Sequence, residues 1–109
     1  MHELAIMESV IDAVTERVHP ARVACVRLMV GRLSGVVPQT LRFCFDVCAR
    51  GTALEGAALE IDEIPGRGLC RRCGRDVAMA TFLDTCGCGS TEVDLVAGDE
   101  LRVKEVEVQ

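Results

Sequence analysis

Two short cysteine pairs constrain this chain most. Cys70-Arg71-Arg72-Cys73-Gly74 and Cys86-Gly87-Cys88-Gly89 sit inside one glycine-rich stretch, running from Gly66 to about Leu95, that shows no helical period. A two-residue spacer lets both thiolates of the first pair converge on one ion, and the glycine after it allows the tight turn whose N–H groups face the sulfurs. The second pair has a one-residue spacer, so its sulfurs reach the same metal only through a tighter chelate, which Gly87 permits. Four thiolates at about 2.3 Å around a tetrahedral ion form a closed structural zinc site, with Cys70, Cys73, Cys86 and Cys88 as ligands. A segment with so little apolar sequence would draw much of its folding free energy from the metal. Another thiolate-bound metal such as iron, a redox dithiol, and an insert of ordinary free thiols are the alternatives.

The other three cysteines belong to a different class. Cys44 and Cys48 share a helical face with Leu41 and Phe45, and Cys25 lies in an apolar run, so all three are expected to pack as small hydrophobes. Seven cysteines is an odd number, and the N-terminus lacks the basic start and apolar run of a signal peptide. Both observations argue against a disulfide framework and for a reducing, cytoplasmic setting. No stretch approaches the roughly 18–20 apolar residues of a membrane span. A net charge of −5, with 12 basic residues scattered along the chain, disfavours nucleic acid, whose phosphates need clustered Lys and Arg. The tightest basic group, Arg67, Arg71, Arg72 and Arg75, surrounds the first cysteine pair.

The remaining sequence reads as a small α/β (α+β) domain. Leu4, Met7, Ile11, Val14 and Val18 recur at three- and four-residue steps, predicting a helix that ends before Pro20. Arg22–Val30 is β-branched and unbroken, as expected of a buried strand. Pro38 suits the first position of a second helix, and Gly51 its C′ position. Ala57–Ile64 alternates as a strand up to Pro65. Leu101–Val108 reads as a final strand, but Leu101 and Val103 have opposite parity from Val106 and Val108, and a bulge near Lys104 or Glu105 would reconcile them. The expected architecture is two helices packed on a three-stranded mixed sheet, residues 1–65 plus 96–109, with an inserted zinc-binding module at 66–95.

The N-terminus carries a second chemistry. A His at position 2 is usually a frayed end. Yet the Nδ1 and backbone nitrogen of His2 can close a six-membered chelate ring, and the α-amine of Met1 or the amide of Glu3 can complete the planar nitrogen set that Ni(II) and Cu(II) favour. His19, which closes the first helix, is expected to be a surface or capping residue.

The segments MHELAIMESVID, PQTLRFCFDVCARGT, LEIDEIP, LCRRCG, CGCGS and GDELRVKEVEV together resemble the HypA/HybF family of hydrogenase nickel-incorporation proteins, in order and over essentially the whole chain. The resemblance implies that His2 and Glu3 belong to a nickel site and that Cys70, Cys73, Cys86 and Cys88 hold zinc. It departs from the family at the second pair, where two residues usually separate the cysteines. It further implies a metallochaperone and not an enzyme: Ni(II) as cargo, a GTPase of the hydrogenase maturation pathway as partner, and the large-subunit precursor of a nickel–iron hydrogenase as recipient. A homodimer stays open. The competing reading is a zinc-ribbon module for protein or nucleic-acid interaction, with an idle N-terminus.

Overall fold

The structure, a computed structural model, describes residues 2–109. Helix α1 spans Glu3–Val18 and helix α2 spans Pro38–Ala49. Strand β1 (Val23–Gly31) is central in a mixed sheet of order β2-β1-β6, parallel to β2 (Ala58–Ile64) and antiparallel to β6 (Leu101–Val108). A parallel neighbour requires a crossover, and α2 supplies it between β1 and β2. Pro38 occupies the start of α2, and Gly51, just beyond its end, has φ +74°, the left-handed conformation that glycine adopts without strain.

Both helices cover one face of this sheet. Met7, Ile11 and Val14 of α1 and Leu41 and Phe45 of α2 pack with Val23, Val26, Leu28 and Val30. Leu4, expected in the core, is 49% exposed, whereas Glu3 is buried. The open face carries Arg27, paired with Glu60 and Glu105 on the flanking strands, and Lys104, 3.3 Å from Asp62. Cys25 is only half-buried, beside Glu60 and Glu107, and stands outside the apolar core. Its expected place in a buried strand is therefore corrected: β1 is central, but helices cover only one of its faces. The bulge falls where parity requires it. Arg27 faces Glu105 and Leu28 faces Val103, leaving Lys104 as the extra residue and turning Leu101, Val103 and Val106 onto the core.

The cysteine-rich segment holds a second, antiparallel sheet that the sequence did not disclose. Its order is β4-β3-β5, from β3 (Gly66–Cys70), β4 (Asp76–Met79) and β5 (Val93–Ala97). Its small core joins Val77, Met79, Cys70 and Cys86 to Leu33, a residue of the β1–α2 connection. The chain is tied here by Arg32 N–H donating to Ile64 C=O at 2.9 Å and Leu33 N–H donating to Gly98 C=O at 2.7 Å. Gly31, Gly66 and Gly98 meet at this neck. A Cβ on Gly31 would fall 2.0 Å from the Gly98 oxygen, and Gly98, at φ +114°, lies against the Gly66 backbone. The molecule is elongated, 53 × 21 × 17 Å.

Candidate metal centres

Two turns bring the cysteine pairs together. In the first, Gly74 N–H donates to Cys70 C=O at 2.9 Å, closing a five-residue turn. In the second, Gly89 N–H donates to Cys86 C=O at 2.9 Å, one residue tighter. The shortened spacer is thus absorbed by a smaller turn. Gly74 (φ +77°) and Gly89 (φ +91°) end the two turns in the left-handed region. Cys86 N–H also donates to Ser90 C=O at 3.1 Å.

All four sulfurs lie within 4.8 Å of one another. Sγ of Cys70 is 3.8 Å from that of Cys88, and Sγ of Cys73 is 3.5 Å from that of Cys86. A tetrahedron with zinc–sulfur bonds of about 2.3 Å has edges of about 3.8 Å, so the cluster fits a tetrahedral thiolate-bound metal. Cys73 N–H faces the Cys70 sulfur at 3.5 Å. That donor, helped by the N–H of Arg72, draws the Cys70 thiol down to about 6, which favours the thiolate a metal requires. Cys70 and Cys86 are buried and Cys73 and Cys88 exposed.

The arginines around the first pair are partly committed. Arg71 forms a forked pair with Asp94, Nε to Oδ1 at 2.9 Å and Nη2 to Oδ1 at 2.8 Å, which raises the guanidinium and lowers the carboxyl. Arg67 reaches Asp76 more loosely, at 3.9 Å. Two of the four arginines are thus paired, whereas Arg72 and Arg75 have no ion pair among the described residues.

The other expected site lies at the start of α1. His2 is exposed and occupies the N-cap position; its C=O accepts from Ile6 N–H at 3.0 Å, and its own N–H precedes the helical ladder. Glu3 behaves differently. Its Oε2 accepts from the N–H of Val37, the N-cap residue of α2, at 3.2 Å, and this donor holds the carboxyl below the usual glutamate range. The carboxylate thus ties the first turn of α1 to the start of α2. An open groove of about 480 Å³ runs beside His2 and Glu3 and is also lined by Leu4, Glu8, Thr40 and Cys44. Sequence reading missed Glu8, Thr40 and Cys44 here, although Cys44 on the inner stripe of α2 was the available signal. Met1, expected to offer its amine, lies outside the described residues. His19 is exposed at the C-cap of α1, as expected of a surface residue.

A family model described as "Hydrogenase/urease nickel incorporation, metallochaperone, hypA" matches residues 1–108. The chain belongs to the HypA family. Hydrogenase maturation factor HypA of Trichormus variabilis is 48% identical over 109 residues, covering 100% of this chain and 96% of that protein. Its counterpart in Geobacter metallireducens is 46% identical over 110 residues, with both chains covered in full. The solution structure of the Ni metallochaperone HypA from Helicobacter pylori superposes with a TM-score of 0.67 at 20% identity, covering 99% of this chain and 97% of that one. That likeness establishes a shared HypA fold. Among the described residues no helix is long and apolar enough to cross a membrane.

Proposed function

We propose that this HypA-family chain carries Ni(II) at His2 and delivers it during hydrogenase maturation, while Cys70, Cys73, Cys86 and Cys88 hold a structural zinc. The observation that carries the reading is the contrast in ligand set between the two sites, four converging sulfurs at one and a single exposed imidazole at the other. The four sulfurs form a closed set, suited to keeping a metal. His2 is exposed at a helix start beside an open groove, suited to handing one on. The names of the curated relatives support hydrogenase maturation as the setting.

The position of His2 favours amide coordination. A backbone nitrogen that gives up its proton to bind Ni(II) becomes an anion at the positive end of α1, where the helix dipole favours negative charge by about 0.3–1 kcal/mol. The same dipole opposes the cation itself, and Glu3 and Glu8 offset that repulsion. Glu3 is engaged with Val37, so it acts by placing the turn and supplying charge, and serves as a direct ligand only by leaving that donor. Met1 contributes its amine if a further nitrogen is needed. When bound, zinc supplies a rigid cross-link between the two cysteine turns and no chemistry of its own.

The same reading makes the chain a carrier and not an enzyme, working in the cytoplasm with a GTPase of the maturation pathway. Its recipient is the large-subunit precursor of a nickel–iron hydrogenase. It treats residues 66–95, with β5 carrying the module's sheet on to Ala97, as a zinc-binding domain inserted into a nickel-binding domain formed by 1–65 and the C-terminal strand. Nickel titration of untagged protein tests the assignment. The wild type should bind one Ni(II) tightly, and His2→Ala should lose that binding together with hydrogenase activation. Undiminished nickel affinity in His2→Ala would remove the site.

A further inference from the structure

We propose that the turn at Phe82 and Leu83, with Arg32 beside it, is a preformed plug that seats in an apolar, carboxylate-rimmed cleft of the protein that receives the nickel. Leu83 is 88% exposed and Phe82 59%, and neither belongs to the small core of the metal module. Asp84 N–H donates to Thr81 C=O at 3.4 Å, so the pair occupies the two central positions of a four-residue turn. Gly, Pro, Asn, Asp and Ser are the residues that turns ordinarily favour. Two large apolar side chains side by side at such a tip do nothing for the fold, and a contact outside the chain accounts for them.

The turn is ordered by polar contacts alone. One Asp84 oxygen accepts from Ala80 N–H at 2.6 Å and from Thr81 N–H at 3.3 Å, and the other accepts from the Thr81 hydroxyl at 3.1 Å. That hydroxyl oxygen in turn accepts from Leu83 N–H at 3.1 Å. Both apolar side chains are thus left free on a fixed backbone. A loop fixed in advance gives up less entropy on association, and a few well-packed anchors carry most of the affinity of a protein interface.

Charge defines the kind of cleft that fits. A hollow of about 410 Å³ at the foot of the turn is lined by Ala80 and Asp84 together with Arg32, Pro65 and Met79. Arg32 is exposed and has no ion pair among the described residues. Asp84 spends its carboxylate on the turn, so the uncommitted charge here is one guanidinium, whose complement is a carboxylate on the partner's rim. A bilayer is the poorer occupant, because a chain of net charge −5 is repelled by anionic headgroups.

The place of Arg32 in the chain selects the partner. Val37 follows it by five residues, at most about 18 Å of extended chain, and Val37 N–H is bonded to Glu3 beside His2. A protein seated on Arg32 and the turn therefore reaches the first turn of α1. Naming the recipient as the occupant rests on the nickel reading above; nickel binding itself makes no use of the turn.

Calorimetric titration of the untagged full chain with the purified large-subunit precursor of a nickel–iron hydrogenase from the same organism tests the plug, with circular dichroism and zinc content as folding controls. The wild type should bind the precursor. Phe82→Ser and Leu83→Ser, both at exposed positions, should each weaken that binding by about tenfold or more, and Arg32→Glu should weaken it by a similar factor. All three variants should keep the wild-type nickel affinity, and nickel titration of the same samples reports on the nickel assignment separately. A wild type that does not bind the precursor, or Phe82→Ser and Leu83→Ser variants that bind it unchanged, would overturn the proposal. So would wild-type binding to phosphatidylserine-containing vesicles that is lost in the same two variants.

Discussion

The two ends of this molecule are held by different physics. The helical end encloses Met7, Leu28, Leu41 and Leu54 almost completely, and burial of each such side chain contributes about 1.5–3 kcal/mol. The cysteine end encloses only Leu33, Val77 and Met79 besides Cys70 and Cys86. Two of its five core residues are thus candidate metal ligands, and a third is lent by the helical end. One half would persist on its own apolar core, and the other depends on sulfur chemistry and on its neighbour. In such a chain a kinetically open site can be placed on the self-sufficient half without putting the fold at risk.

The largest expected effect separates the halves outright. Cys73 is exposed, so Cys73→Ser removes a ligand with little loss of packing. It should abolish the bound metal and collapse the amide dispersion of residues 66–97 in NMR spectra while the helical circular dichroism persists. Retention of the metal would show that the remaining thiolates suffice. The neck comes next. Gly31→Ala places a methyl 2.0 Å from the Gly98 oxygen and 2.2 Å from its carbonyl carbon, contacts with backbone that no rotamer relieves. A loss of about 3 kcal/mol in chemical denaturation is expected, felt at both ends because both chain passages cross there. Leu33→Ala should cost about 2 kcal/mol and fall mainly on the metal module, read as earlier unfolding of that module with the helical transition little moved.

Smaller effects test the nickel end. Glu3→Ala frees the Val37 N–H and should lower the melting temperature by a few degrees. The sign with pH is fixed: the Glu3 carboxyl is held low in the folded state, so its contribution is complete above the ordinary glutamate range and fades as acid protonates it. The Glu3→Ala variant should therefore lose less stability than the wild type on acidification. His2→Ala should change stability by less than about 0.5 kcal/mol, as expected for an exposed residue ahead of the helix.

How much of this was legible in the sequence follows from where apolar period and burial coincide. Met7, Ile11 and Val14 were readable because their spacing matches the buried face. Leu4 was misread because the first turn is set by the Glu3–Val37 hydrogen bond, a contact across 34 residues that leaves no periodic trace. The bulge at Lys104 was readable as a parity shift in Val and Leu. Strand β3 was invisible for a specific reason. Its inward positions are Gly66, Gly68 and Cys70, and the two glycines are required because a Cβ would meet the Met79 oxygen at 2.2 Å or the Val93 side chain at 2.4 Å. A strand whose buried residues have no side chain gives no hydrophobic alternation. The cysteine cluster was legible because its ligands come as local pairs, whereas Leu33 reaches that module only through tertiary packing.

The division of labour between the two ends is tested most directly by X-ray absorption at the nickel and zinc edges of a single untagged sample loaded with one equivalent of Ni(II). The nickel edge should show nitrogen and oxygen neighbours, including the outer-shell scattering of one imidazole, with no sulfur. The zinc edge should show four sulfurs at about 2.3 Å. Sulfur in the nickel shell, or nickel displacing zinc from the cysteines, would contradict the assignment of separate open and closed sites.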